Sequence, residues 1–301
     1  MAVSLKGCLV VGISSRALFD LDEENAIFER EGLRAYSLYQ LEHEREVLKP
    51  GSGFALVKAL LKLNELSEKR RVEVIIMSRN SADTSLRIFS SIEHYGLDIT
   101  RAVLSGGASL ASYLEAFGVD LFLSANEQDV EHAINCGFAA GRIYTNTIDG
   151  FDPMKPIEQI RIAFDGDAVL FSDESERIFQ EQGLDAFVAN EKEKANSALP
   201  KGPFAQFLKT ISDLQNEFDE KTAPIRTALV TARNAPAHER VIRTLRSWDV
   251  RIDEAFFLGG ITKRDVLKAF GPHIFFDDQS VHTSSASEVV PSAQVPYKSA
   301  N

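Results

Sequence analysis

Short apolar runs recur through the chain, each bounded by turn formers and separated from the next by stretches whose apolar residues fall at helical spacing. In the first half they lie at residues 8–13, 72–77, 102–104, 121–123 and 142–144. In the second half the equivalents begin at Arg161, Thr227, Ala255 and Ile274, with a last one near 294–296. Strands that alternate with amphipathic helices predict an α/β fold, a parallel three-layer sheet with right-handed crossovers. Gly150, Pro153 and Pro156 interrupt any helix around residues 149–156, which places a boundary there. Between Asp167 and Thr231 lie two helical patterns and a Pro200-Lys201-Gly202-Pro203 turn. That is too much chain for one crossover, and it predicts a small cap at about 174–225 that closes over a site.

The halves also repeat each other. Ile75-Ile76-Met77-Ser78-Arg79-Asn80 aligns with Leu229-Val230-Thr231-Ala232-Arg233-Asn234 at an offset of 154. Residues 114–118 and 121–123 align with 267–271 and 274–276 at 153, and residues 22–33 with 173–184 at 151. Three collinear matches with so little drift predict a tandem duplication, with domains at 1–150 and 151–301. The copies differ at particular places: Ile13-Ser14-Ser15 stands against Asp165 and Asp167, Met77 against Thr231, Ser109 against Lys263, and Ser124-Ala125 against Asp277-Asp278. The first copy is expected to keep the fold, lack the chemistry and pack against the second. Superposed halves should pair Asp165 with the turn at residues 13–15 and Asp277 with Ser124. With a single continuous sheet, or a different strand order, the duplication reading fails.

The places where the halves differ carry chemistry in the second. The run from Arg161 to Phe164 ends in Asp165-Gly166-Asp167. Alternation along an extended chain sends residues 165 and 167 to one side, and in open α/β sheets ligands bind beyond the carboxyl ends of strands. Gly166 lets backbone come close to a ligand. A second run, Ile274-Phe275-Phe276, ends in Asp277-Asp278. Four carboxylates converging on one crevice need a cation. Asp-x-Asp alone is a weak signal, because acids after strands are commonly helix caps. The order of the remaining groups sharpens it: a strand ending in Thr231, then Lys263, then Asp277-Asp278.

That order resembles the four-motif signature of haloacid dehalogenase superfamily phosphotransferases. The resemblance implies a haloacid dehalogenase-like sheet and Mg²⁺ held by Asp165, Asp167, Asp277 and Asp278. Mg²⁺ is a hard cation that takes oxygen ligands. It further implies Thr231 and Lys263 on the phosphoryl oxygens, with Ala232 and Arg233 beside them. Asp165 would be the nucleophile that forms an aspartyl phosphate, splitting one difficult displacement into two easier ones. Asp167 would be the general acid and base, two carboxylates being given different roles by their environments. Catalysis of this kind is mostly positioning plus electrostatic stabilisation of the phosphoryl group in transfer. In the superfamily the cap largely sets substrate choice, which points to residues 174–207.

Further wording is similar to the cytosolic 5′-nucleotidase type I family over nearly the whole chain. The matching stretches are SSRALFD at 14–20, YQLEHE at 39–44, AFDGDAVLFSDESE at 163–176, LVTAR at 229–233, TLRSW at 244–248 and PHIFFDDQ at 272–279. The resemblance implies Mg²⁺-dependent hydrolysis of nucleoside 5′-monophosphates, with AMP favoured. Ser78-Arg79-Asn80 departs from the Thr-Asn-Asn wording of relatives. Two alternatives remain, a phosphatase of another small phosphoester and a nucleotide-binding regulator without turnover. The intact motif set in the second half speaks against the regulator.

Charge and composition narrow the partners. A formal net charge of −11 argues against a nucleic-acid surface, which would need clustered Lys and Arg, but not against one nucleotide held through a local cation. Only Cys8 and Cys136 are present, so there is no disulfide framework, and the apolar run at 8–13 is far too short for a signal sequence or membrane span. The expected setting is the cytoplasm, with no membrane partner; a homo-oligomer is compatible with this composition. Single residues have plain readings: His273 and Trp248 as packing, Asp173 and Glu174 as helix caps or site neighbours. Arg233-Asn234 either reaches phosphate or ribose or keeps a fold role, since Arg79-Asn80 repeats it.

Overall fold

The structure, a computed structural model, describes residues 5–66 and 68–297. Its strands are β1 (Leu9–Ile13), β2 (Val72–Ser78), β3 (Arg101–Leu104), β4 (Leu121–Ser124), β5 (Ala140–Ile143), β6 (Ile160–Phe164), β7 (Ile225–Thr231), β8 (Glu254–Phe257), β9 (Ile274–Asp277) and β10 (Ser292–Gln294). They lie within two or three residues of the apolar runs. β1, β2, β4 and β9 are buried throughout, which is why they read as continuous apolar stretches rather than as alternation.

All ten strands form one sheet in the order β3-β2-β1-β4-β5-β10-β9-β6-β7-β8. Every neighbouring pair is parallel except β5 with β10, which run antiparallel with Ala293 opposite Ile143 and Gln294 opposite Arg142. The continuous sheet is one of the two arrangements on which the duplication was to fail, so the expectation of a separate first-half sheet packed against the second is not met; the other, a different strand order, is not found. Reading inward from each outer edge gives the same order twice, β3-β2-β1-β4-β5 and β8-β7-β6-β9-β10. The physical reason for the joint is plain: an unpaired strand edge is a liability, and pairing two short edge strands removes both. The antiparallel joint also turns the carboxyl ends of the first half's strands away from those of the second, so the crevice beyond β6 is not lined by the counterpart crevice beyond β1.

Register fixes which residues correspond. Leu9 pairs with Val72 and Ile160 with Ile225, so Ser14 stands where Asp165 does and Ser78, not Met77, stands where Thr231 does. Gly118 and Gly271 end the helices Ala111–Phe117 and Lys263–Phe270 in the left-handed region, at φ 61° and 63°. That puts Leu110, rather than Ser109, at the place of Lys263. Asn80, not Arg79, occupies the place of Arg233. Matching by identity pairs Arg-Asn with Arg-Asn; the backbone hydrogen bonds place the two segments one residue apart from that alignment.

Each half also carries a pair of helices beyond the end of its first strand. In the first half these are Asp22–Glu31 and Leu33–Glu42, hinged at Gly32 (φ 82°, ψ −178°). In the second, Glu174–Glu193 bends at Gly183 with nearly the same angles (φ 84°, ψ −178°). The next helix, Ala205–Gln215, buries Phe207, Leu208 and Ile211 in the core cluster that includes β6 and β7, so it is a crossover helix. The projecting part of the expected cap narrows to the bent helix.

Gly202 anchors the return of the chain from that helix. Its N–H donates to Leu170 O at 2.9 Å, and a Cβ on it would lie 2.3 Å from Phe171 O and 2.6 Å from Val169 O. No side chain yields there, only backbone. Gly202→Ala is expected to destabilise the protein by about 3 kcal/mol, measured by denaturant unfolding; a change under about 0.5 kcal/mol, the usual size for a surface site, would show that this close approach is not needed.

Candidate active site

The acids sit at strand ends held by aromatic packing. Phe164 and Phe276, the residues just before Asp165 and Asp277, stack with ring centroids 5.7 Å apart, and Phe204 packs on Phe276 at 4.6 Å. The Asp165 N–H donates to Phe276 O at 2.8 Å, so β6 and β9 deliver their carboxylates together. After Asp165 the chain makes an irregular turn in which Ala168 adopts φ 59°, ψ 0°. A non-glycine residue in the left-handed region is uncommon and concentrates at functional turns. The first half has an ordinary helical turn, Ser15–Leu18, at the same place.

Carboxylate oxygens of Asp165, Asp277 and Asp278 lie within 4.8 Å of one another. Lys263, the first residue of its helix, donates through Nζ to Asp165 Oδ1 and to Asp277 Oδ2, both at 2.6 Å. Three carboxylates thus face one ammonium. Burial pushes Asp165 up to about 7, with Asp277 adding to the rise and Lys263 opposing it. Burial and the neighbouring carboxylates push Asp278 up to about 9, and burial raises Asp277 as well. Burial disfavours the charge on Lys263, but Asp165 and Asp277 outweigh it and hold the amine protonated.

This donor set fits a hard divalent cation. It is all oxygen, its three carboxylates once ionised outnumber the charge of Lys263, and Asp278 Oδ1 is buried with no hydrogen-bond partner among the described residues. Asp167 is not in the cluster. Its carboxylate is taken by Arg233, which donates from Nε to Oδ2 at 2.8 Å and from Nη2 to Oδ1 at 2.7 Å. Thr231 is buried, its Oγ1 accepting from Arg233 N at 3.2 Å and lying 3.4 Å from where a Cβ on Gly166 would be. Ala232 is exposed between the two.

Of the sequence-marked residues, four therefore meet in one cluster, Asp165, Asp277, Asp278 and Lys263, with Thr231 buried beside Gly166. A family model described as 5′-nucleotidase matches residues 1–301. The chain belongs to the 5′-nucleotidase family. These are phosphoric monoester hydrolases. Human (Homo sapiens) cytosolic 5′-nucleotidase 1B is 40% identical over 296 residues, covering 94% of this chain and 48% of that protein. The chain thus spans about half the length of this curated relative. Among solved structures, histidinol dehydrogenase from Elizabethkingia anophelis aligns with 95% of this chain and 52% of its own at 9% identity and a TM-score of 0.24, too slight a likeness to bear on fold or chemistry.

For this member of the 5′-nucleotidase family the other marked residues divide. His273 Nδ1 accepts from Arg161 N at 2.9 Å, and burial lowers its pKa to about 4, which suits a neutral packing residue. Trp248 packs against Phe171 with centroids 5.5 Å apart. Asp173 stands at the N-cap of the bent helix, and Glu174 pairs with Lys194 at 2.6 Å. Four further residues at the site, Glu176, Gln279, Glu191 and Arg240, are not singled out individually by the sequence. Glu176 accepts from Gln279 Nε2 at 2.9 Å and joins the bent helix to the residue after Asp278, and burial beside Asp167 and Asp165 raises its pKa. Glu191 and Arg240 lie wholly buried behind Arg233. A lone buried Glu within a polar helix has no periodic signature, so only contact reveals it.

Proposed function

We propose that this protein hydrolyses nucleoside 5′-monophosphates, AMP foremost, to nucleoside and phosphate, with Asp165 as nucleophile. The observation that carries the reading is the cluster of buried Asp165 and Asp277 on Lys263 with half-buried Asp278 beside them, in a chain of the 5′-nucleotidase family. Asp165 attacks phosphorus, the bond to the leaving 5′ oxygen breaks, and Asp167 gives that oxygen a proton. Water then attacks the aspartyl phosphate, Asp167 takes the water's proton, and phosphate leaves with Asp165 restored. Lys263 and Thr231 supply a cation and a hydroxyl to the phosphoryl oxygens. A divalent cation, Mg²⁺ in this reading, would be held by Asp165, Asp277 and Asp278 and would offset the charge of carboxylates and phosphoryl group together. The relative's name is cytosolic, and among the described residues no helix is long and apolar enough to cross a membrane; the cytoplasm is the setting this favours.

We also infer that residues 1–150 and 151–301 are copies of one haloacid dehalogenase-like unit, the first having lost its acids. Shared strand order, the matched hinge angles at Gly32 and Gly183, and the paired glycine caps support it. So does a serine at the places of two of the acids, Ser14 for Asp165 and Ser124 for Asp277, with Asn126 N donating to Ser124 Oγ at 3.1 Å as Gln279 N does to Asp277 Oδ1 at 2.9 Å.

Phosphate release across a panel of nucleoside monophosphates and sugar phosphates tests the function. The expected pattern is release from nucleoside monophosphates that stops with excess chelator and returns with Mg²⁺. Full activity in chelator would remove the metal from the reading, and a preference for sugar phosphates would remove the nucleotide.

A further inference from the structure

Resting on the reading of Asp167 as the proton-transferring group, we propose that Arg233 is a positioning residue for Asp167, held in place by Glu191 of the bent helix. The guanidinium spends all three nitrogens: Nε and Nη2 on the two oxygens of Asp167, and Nη1 on Glu191 Oε2. Its face lies over the ring of Phe187, with Cζ 5.4 Å from the centroid. Glu191 is fully buried and is held by Arg240 Nη1 at 2.9 Å and Ser175 Oγ at 2.8 Å through its other oxygen. Two arginines and two carboxylates make the network neutral, so it sits buried without a counter-charge from solvent.

The first half serves as an internal control that separates what the fold needs from what the site needs. Counted from the matched hinges Gly32 and Gly183 and from β2 and β7, Arg87 stands at the place of Arg240, Glu24 at that of Ser175 and Gln40 at that of Glu191. Arg87 Nη1 donates to Glu24 Oε1 at 2.6 Å and its Nε to Glu46 O at 3.0 Å; Arg240 Nε donates to Ser197 O at the same distance. The carboxylate has moved from one helix of the pair to the other, and the arginine strap that ties the helices to the core is kept. The second guanidinium is not. Asn80 stands where Arg233 does and bonds to Tyr36, Ser78 and Ser15, while Arg16 stands where Asp167 does and pairs outward with Asp22. The strap therefore belongs to the fold, and the Arg233 clamp accompanies the acids.

The clamp also explains why Asp167 lies outside the metal-type cluster. A bidentate guanidinium fixes both carboxylate oxygens in one plane, and Asp167 must release one of them, and take up a proton on it, before it can protonate a leaving oxygen. Arg233 sets the direction from which that happens.

The test is a double-mutant cycle of Arg233→Lys and Asp167→Asn, with wild-type turnover of nucleoside monophosphates measured in the same series. Lysine keeps the charge and loses the fork. Arg233→Lys is expected to lower kcat by about 10- to 100-fold, leave KM within about threefold, and have less than about a threefold further effect in the Asp167→Asn background. A rise in KM with kcat kept would make Arg233 a substrate ligand and overturn the assignment. Equal losses in both backgrounds would make it structural, with the same consequence. If Arg233→Lys fails to fold, Glu191→Gln, which keeps shape and drops only the charge, should give the same pattern. Absent wild-type turnover would count against the reading of the site, whereas turnover with additive losses counts against the role given to Arg233.

Discussion

Asp165→Asn is expected to fold, to bind nucleoside monophosphate and to turn it over at least about 10⁴-fold more slowly than the wild type, the scale seen when a nucleophile is removed. An amide cannot displace at phosphorus, so no covalent intermediate forms. The substitution should not cost stability. Two buried carboxylates share Lys263 with half-buried Asp278 beside them, burial already pushes Asp165 up to about 7, and replacing it with a neutral group of the same shape relieves the charge crowding. Lys263 keeps Asp277 as its partner. Thermal unfolding without metal should give a midpoint at or above that of the wild type, and calorimetric titration should still detect nucleotide. Residual turnover above a few per cent would mean that water attacks directly and that Asp165 only holds charge.

How much of this was legible in the sequence depends on which interactions are local. Strand ends at Asp165, Thr231 and Asp277 are readable because a buried parallel strand is a continuous apolar run and the polar residue that stops it is conspicuous. The first half's counterparts were harder. Arg79-Asn80 and Arg233-Asn234 look identical in a one-dimensional comparison, yet β1 and β2 place Asn80 opposite the role of Arg233, because hydrogen-bond register follows the backbone and not residue identity. The joint between β5 and β10 rests on only two residue pairs, too short for a pattern, and so the single sheet was not foreseen. Glu191 is the extreme case. Its neighbours Asn190 and Lys192 are polar, and its complete burial comes from Arg233 and Arg240, which lie more than forty residues away along the chain. Charge networks between distant elements leave no periodicity to read.

Lys263→Met is expected to cost both activity and stability, and the two losses should respond differently to Mg²⁺. Methionine keeps the length and removes the ammonium that donates to Asp165 and Asp277 at 2.6 Å each. Breaking a buried ion pair from one side costs about 3–5 kcal/mol because a charge is left uncompensated. The sign with pH follows from the direction of the shifts. Asp165 and Asp278 titrate above the ordinary carboxylate range, at about 7 and about 9, so the folded metal-free protein binds more protons than the unfolded chain. Stability contributed by those protons is present at low pH and is lost as pH rises through the folded values. Without Lys263 the Asp165 value climbs further, because the amine is the group that lowers it. The deficit of the variant should therefore be small near pH 5 and full near pH 8 in chelator. Mg²⁺ at a hundred times its dissociation constant adds about 2.7 kcal/mol to either protein, which should recover much of the fold. Turnover should stay down by about 10³-fold even then, since the phosphoryl oxygens have lost a preorganised cation that the metal does not replace. Unfolding midpoints that match the wild type at pH 8 in chelator would show that Lys263 does not balance the cluster. Activity restored to within about tenfold by Mg²⁺, far short of the loss expected when such a donor is removed, would show that its role is to hold the acids together and not to meet the phosphate.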